Sequence, residues 1–168
     1  LDKTPDTSTE KLREVKTFGP VGLGRYAFAK CKNLERFSSV DIPDATKLDL
    51  NHAFTSTRDF NLPVENWDMS QLESLESAFN NAWGYNQPLN KWDTSNIKNM
   101  TSVFTSAHNF NQPLDQWDTS NVTNMSSTFW NAQRFNQPLD NWNVSNVTTM
   151  ENMFRGATSF NQPLENWN

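Results

Sequence analysis

This chain repeats itself at an interval of 25 residues, and it keeps that interval without insertion or deletion. An aromatic residue stands at Phe60, Tyr85, Phe110, Phe135 and Phe160. Proline follows at Pro63, Pro88, Pro113, Pro138 and Pro163, and tryptophan at Trp67, Trp92, Trp117, Trp142 and Trp167. Then come Leu72, Ile97, Val122 and Val147; Leu75, Met100, Met125 and Met150; Phe79, Phe104, Phe129 and Phe154; and Ala82, Ala107, Ala132 and Ala157. A fixed period of this length is the mark of stacked units, each too small to bury its apolar side alone.

Within a unit, Val122, Met125, Phe129 and Ala132 recur at the spacing of an amphipathic helix, with Ser120 placed to cap it. Pro113 forbids helix just before, and Leu114 to Thr119 reads as a short strand with Trp117 and Thr119 on one side. The fold class expected is therefore α/β, a leucine-rich-repeat-like solenoid of short parallel strand–helix coils. Like positions would then lie about 4.8 Å apart, and the aromatic rings would fill one continuous core. The asparagines at Asn61, Asn86, Asn111, Asn136 and Asn161 should stack as well, satisfying loop backbone with their side-chain amides.

Composition fits that picture and excludes others. The 168 residues include 12 Phe and 7 Trp in a chain only 35% hydrophobic, so the apolar material sits in a few large side chains. A net charge of −5 gives no basic stripe for nucleic acid. No apolar run is long enough to insert into a membrane, and Cys31 alone can form neither an internal disulfide nor a thiolate metal site.

The wording FNQPLDQWDTSNVTNMSSTF, Phe110 to Phe129, resembles a bacterial surface-protein repeat of about 25 residues (DUF285-like) found in mycoplasma lipoproteins and Listeria-type cell-wall proteins. The likeness covers Phe60 to Asn168. Tyr26-Ala-Phe-Ala-Lys-Cys31-Lys-Asn-Leu34 with Ile42-Pro43, and a degenerate His52-Ala-Phe54, resemble leucine-rich repeats of the BspA type. The resemblance implies an extracellular, cell-surface adhesion or ligand-capture module, with no cofactor and no enzymatic activity. Its departures are Thr55-Ser-Thr57 where a Cys-containing segment is expected, and Leu62 and Val64 around Pro63.

Three regions follow. Residues 1–18 form a tail and a capping helix, with a capping box at Thr7-Ser-Thr-Glu10 and Leu12 and Val15 on its apolar side. Residues 19–59 hold the BspA-like repeats, and residues 60–168 the 25-residue repeats, the last incomplete. We read the chain as a monomeric fragment of a longer, processed protein.

No catalytic constellation is present, since His52 and His108 occupy different repeat phases. Cys31 falls on a core slot and is expected buried and inert. The column Asp68, Asp93, Asp118, Asn143 could be relieved by Ca²⁺, but its expected role is to hold amides at the start of each helix. The indoles of the 25-residue ladder are expected in the core rather than as an outward track for sugars. Trp83 and Trp130 lie outside that ladder and are read as packing residues. The sequons beginning at Asn99, Asn121, Asn124, Asn143 and Asn146 follow from the repeat wording and imply no glycosylation. With Trp and Thr inward, the outward rows are Asn66, Lys91, Gln116, Asn141 and Asp68, Asp93, Asp118, Asn143. These eight are the candidate contacts for a protein or glycan on host or neighbouring cells; a structural spacer or surface-layer rod is the alternative.

Overall fold

The computed structural model describes residues 11–18, 22–38 and 42–167. Among the described residues the regular elements are the short strands β1 (Glu14–Val15) and β2 (Arg36–Phe37) and a 3-10 turn at Ala45–Lys47. Among the described residues there is no α-helix. The expected α/β, leucine-rich-repeat-like solenoid of strand–helix coils is therefore not what this chain forms.

The reason lies in the spacing of the rings. Phe28, Phe54, Phe79, Phe104, Phe129 and Phe154 form one column with centroids 5.2–5.7 Å apart and planes within 14°. Phe60, Tyr85, Phe110, Phe135 and Phe160 form a second, 5.6–6.2 Å apart. Trp92, Trp117 and Trp142 form a third, 6.1 and 6.3 Å apart. Successive units thus lie roughly one ring spacing apart, whereas an α-helix with its side chains is about 10–12 Å across. Helices cannot stack at that repeat.

Turns can. In the segment expected to be helical, the amides of Leu75, Ser77, Phe79 and Asn81 donate to Asn99, Thr101, Val103 and Thr105 of the next layer, at 2.8–3.0 Å. The amides between them, on Ala78, Asn80 and Ala82, turn back to Leu75, Ser77 and Phe79 within the layer. Alternate amides therefore serve the stack and the turn, a division the i→i−4 bonds of an α-helix would not permit. The backbone manages it through left-handed residues at Ser77 and Asn81, Ser102 and Ser106, Ser127 and Asn131, and Asn152 and Gly156. From Ser56 onward small polar residues and glycine occupy these places, as positive φ favours, while the earlier layers carry Tyr26, Lys30 and His52 there. The apolar stripe Val122, Met125, Phe129, Ala132 is buried as its period predicts, but on turns.

The stretch expected as a strand, Leu114 to Thr119, is likewise a turn, with Trp117 and Thr119 both buried. Sheet pairing between these layers reduces to single parallel bridges, Ser74 to Asn99 to Asn124 to Thr149. Polar side chains supply the rest of the interlayer bonding. Asn61, Asn86, Asn111 and Asn136 each accept the amide 25 residues on at 2.8–2.9 Å, the ladder expected from the sequence. The indole N–H groups of Trp92, Trp117, Trp142 and Trp167 donate to carbonyls of the preceding layer, those of Val64, Leu89, Leu114 and Leu139, at 2.9–3.0 Å. Buried Thr128 donates to Met100 and Met125. Few polar atoms are thus buried without a partner.

Within the N-terminal stretch expected to be a capping helix, the described residues 14–15 form a strand. Parallel β1 pairs with β2 in the register Glu14 to Arg36 and Val15 to Phe37, and Leu12 and Val15 pack on the core. Residues 7–10, the expected capping box, lie outside the described residues. Phe18 meets Phe37 and Trp67 edge-on at 5.3 and 5.5 Å, which closes the first layer. Arg36 bonds Glu14 at 3.0 Å and Ser38 also donates to it, which holds the Glu14 carboxyl down at about 2. Because the folded-state value lies below the ordinary one, ionised Glu14 favours the pairing above the usual carboxylate range. That support disappears as the pH falls towards about 2. The variant Glu14→Gln should therefore lose less melting temperature between pH of about 5 and about 2 than the native chain; an identical acid profile would refute the role.

Among the described residues one buried polar side-chain atom is orphaned. Tyr85 takes a place that is phenylalanine in the other layers, and its hydroxyl has no partner. Burial pushes that phenol well above its ordinary range. Tyr85→Phe should stabilise the fold by about 1 kcal/mol, since an unsatisfied buried hydroxyl costs about 1–3 kcal/mol. Denaturant titration checks this, and a lower midpoint would show that the hydroxyl is bonded in solution.

Candidate functional site

The eight sequence-selected residues share one side of the stack and all are exposed: Asn66, Lys91, Gln116 and Asn141 in one row, Asp68, Asp93, Asp118 and Asn143 in the next. Alternation across Trp67, Trp92, Trp117 and Trp142 puts them there, because the indoles point into the core. Thr94 and Thr119 also point inward and donate to Asp118 and Asn143 carbonyls of the next layer at 3.0 Å. Met69 and Val144 fill the same inward slot in the other layers.

The acidic row does not cap helices, because none follow it. Each carboxylate instead closes a turn on itself: Asp68, Asp93 and Asp118 accept the amides of Ser70, Ser95 and Ser120 at 2.9–3.1 Å, and Asn143 does the same for Ser145. The Ser70 and Ser120 hydroxyls and amides hold Asp68 and Asp118 below the usual carboxylate range. No three acidic, histidine or cysteine side chains converge as metal ligands among the described residues. The other row is bonded too. Lys91 pairs with Glu65 of the layer before at 3.3 Å, and the Gln116 amide donates to Asn90 at 3.0 Å.

A second feature was only half legible. Trp83 and Trp130 do pack, as expected, but each packs against cations or polar rings of neighbouring layers. The Arg58 guanidinium lies 4.1 Å over the Trp83 ring from the layer before, and the His108 imidazole lies 5.0 Å away from the layer after. Trp83 is still 37% exposed. Arg155 approaches Trp130 similarly at 5.7 Å. Gly84 tightens this corner, since its amide donates to the Arg58 carbonyl at 2.8 Å and a Cβ there would meet that oxygen at 2.8 Å. The signal in the sequence was the register: positions 58, 83 and 108 are one repeat apart, as are 130 and 155.

The remaining chemistry is quiet. His52 stacks on Tyr26 at 4.6 Å with Nε2 3.7 Å from Glu76. Cys31 is buried, which pushes its thiol up and away from the reactive thiolate. Among the described residues no helix is long and apolar enough to cross a membrane. Replacing Asp118 by Asn should leave the melting point nearly unchanged, because Asn143 already performs the turn, while Asp118→Ala should cost up to about 1 kcal/mol. Added Ca²⁺ should not shift either melt; a shift confined to the native chain would make this row a metal site.

A search of the curated proteins and a search of the solved structures returned no match. The family described as "Mycoplasma protein of unknown function, DUF285" matches residues 25–117 and again residues 46–167, overlapping spans that run across the whole stack of ring columns. The chain belongs to the DUF285 family.

Proposed function

We propose that this protein is a non-enzymatic binding module at the cell surface, one that attaches to a protein or glycan of a host or neighbouring cell. The observation that carries the reading is the contrast between inside and outside along one register. Inward positions hold Trp67, Trp92, Trp117 and Trp142, while the outward row beside them reads Asn66, Lys91, Gln116 and Asn141. A stack that holds its core constant and changes its surface can alter specificity at little cost in stability. Kinship with Listeria-type surface repeats, and of Tyr26 to Leu34 with the BspA type, belongs to this reading as a likeness of wording only.

The alternative is a spacer that holds another domain away from the surface. The identical interlayer bonds favour it, since layers so joined can be added without redesign. The two readings part at the triple variant Lys91→Ser, Asp93→Asn, Gln116→Ser, in which Asn keeps the turn closed at position 93. A binding module should lose affinity for its surface partner, measured by pull-down on host matrix proteins and by glycan array, with melting nearly unaltered. Unchanged binding by that variant would remove these rows from the site, and absence of any saturable partner would favour the spacer.

A further inference from the structure

We propose that a trough on another corner of the stack, lined by Lys30, Lys32, Ser56, Arg58, Asn81 and Trp83, binds an oxyanion, sulfate or carboxylate, carried on a polysaccharide. The trough encloses about 400 Å³, room for one or two sugar rings. Its position follows from the register, since Lys30, Ser56 and Asn81 are equivalent left-handed positions in three successive layers, and Lys32, Arg58 and Trp83 stand two residues beyond them.

Arg58 is the residue that makes this a site. Its guanidinium carbon lies 4.1 Å over an indole that also meets His108, so the side chain is restrained before any ligand arrives. A guanidinium stacked on a ring keeps its N–H edge available, and that edge matches two oxygens of a carboxylate or sulfate. Among the described residues no carboxylate forms an ion pair with Arg58 or Lys30, although Arg13, Arg25, Arg36, Lys47, Lys91 and Lys98 each have an acidic partner. Two cations that form no ion pair among the described residues thus face one concavity.

Charge distribution sharpens the contrast. Residues 1–58 carry ten of the fourteen Lys and Arg with eight acids, while residues 59–168 carry four with eleven. An acidic polymer is repelled by most of the stack, so attachment must be local to this end. Cations in successive layers suit a chain bearing charges at intervals, and Arg58 and His108 already occupy part of the Trp83 ring, so recognition here is of charge rather than of a stacked sugar ring.

The proposal names a site apart from the Asn66-to-Asn143 rows, and its failure leaves the reading of those rows standing. Titration calorimetry on the 168-residue chain with dextran sulfate, polygalacturonate, neutral dextran and polyglutamate tests it. Dextran sulfate or polygalacturonate should bind and neutral dextran should not. Arg58→Gln should weaken that binding about tenfold or more, the scale of a lost charge-assisted bond. Arg58→Lys should restore only part of it, because the fork is gone. Lys30→Asn, a residue that tolerates φ near 63°, should also weaken it. The variant Lys91→Ser, Asp93→Asn, Gln116→Ser should bind the polyanion as the native chain does. Equal affinity for neutral dextran, full affinity in Arg58→Gln with an unchanged melt, or preference for polyglutamate would each overturn the proposal, the last pointing to an acidic peptide instead.

Discussion

The fold depends on rings stacked face to face at about the thickness of one layer. Phe79, Phe104 and Phe129 are each wholly buried, each lies parallel to its counterpart above and below, and each touches a second ring of its own layer at 4.0–4.2 Å. Such a ring contributes both a large buried area and a favoured offset geometry, and its loss costs about 3–5 kcal/mol. Once the columns set the layer spacing, everything else in the backbone must fit that distance.

Asparagine, serine and threonine make the fit possible. A layer too thin for a helix leaves many amides and carbonyls without regular partners, and an unpaired buried group is expensive. The side-chain amides of Asn96, Asn121 and Asn146 meet the carbonyls of Ser70, Ser95 and Ser120 in the layer before at 2.7–2.8 Å. Thr105 and Thr55 do the equivalent work toward the following layer. The polar composition that looked like a preference for turns is the second bonding system of the stack, and it also lets the outer faces vary without loss of register.

That variation has two consequences for surface chemistry. The rows from Asn66 to Asn143 are exposed yet locally bonded, so their shape is held before any partner arrives. The corner at Arg58 and Trp83 joins a cation, an indole and an imidazole from three consecutive layers, and among the described residues no carboxylate pairs with that cation. Both arise because a repeat aligns equivalent positions, so a substitution in one layer always has a neighbour at ring distance.

The sequence alone determined the period, the inward positions and the asparagine ladder, because burial and stacking depend only on which residues recur at which phase. Val122, Met125, Phe129 and Ala132 could be named as one buried stripe, and Trp92, Trp117 and Trp142 as one spine, without coordinates. What the period could not tell was how the backbone would carry that stripe, since an apolar spacing of three and four residues fits a helix or a run of turns equally well. Only the tertiary structure decided between them, and it did so through the separation of the ring columns, too small for a helix and right for alternate amides reaching the next layer. The same holds elsewhere in the chain: Glu14 and Val15 lie in a strand because pairing with β2 satisfies a backbone edge, and Arg58 met Trp83 because stacking, not chain distance, made them neighbours.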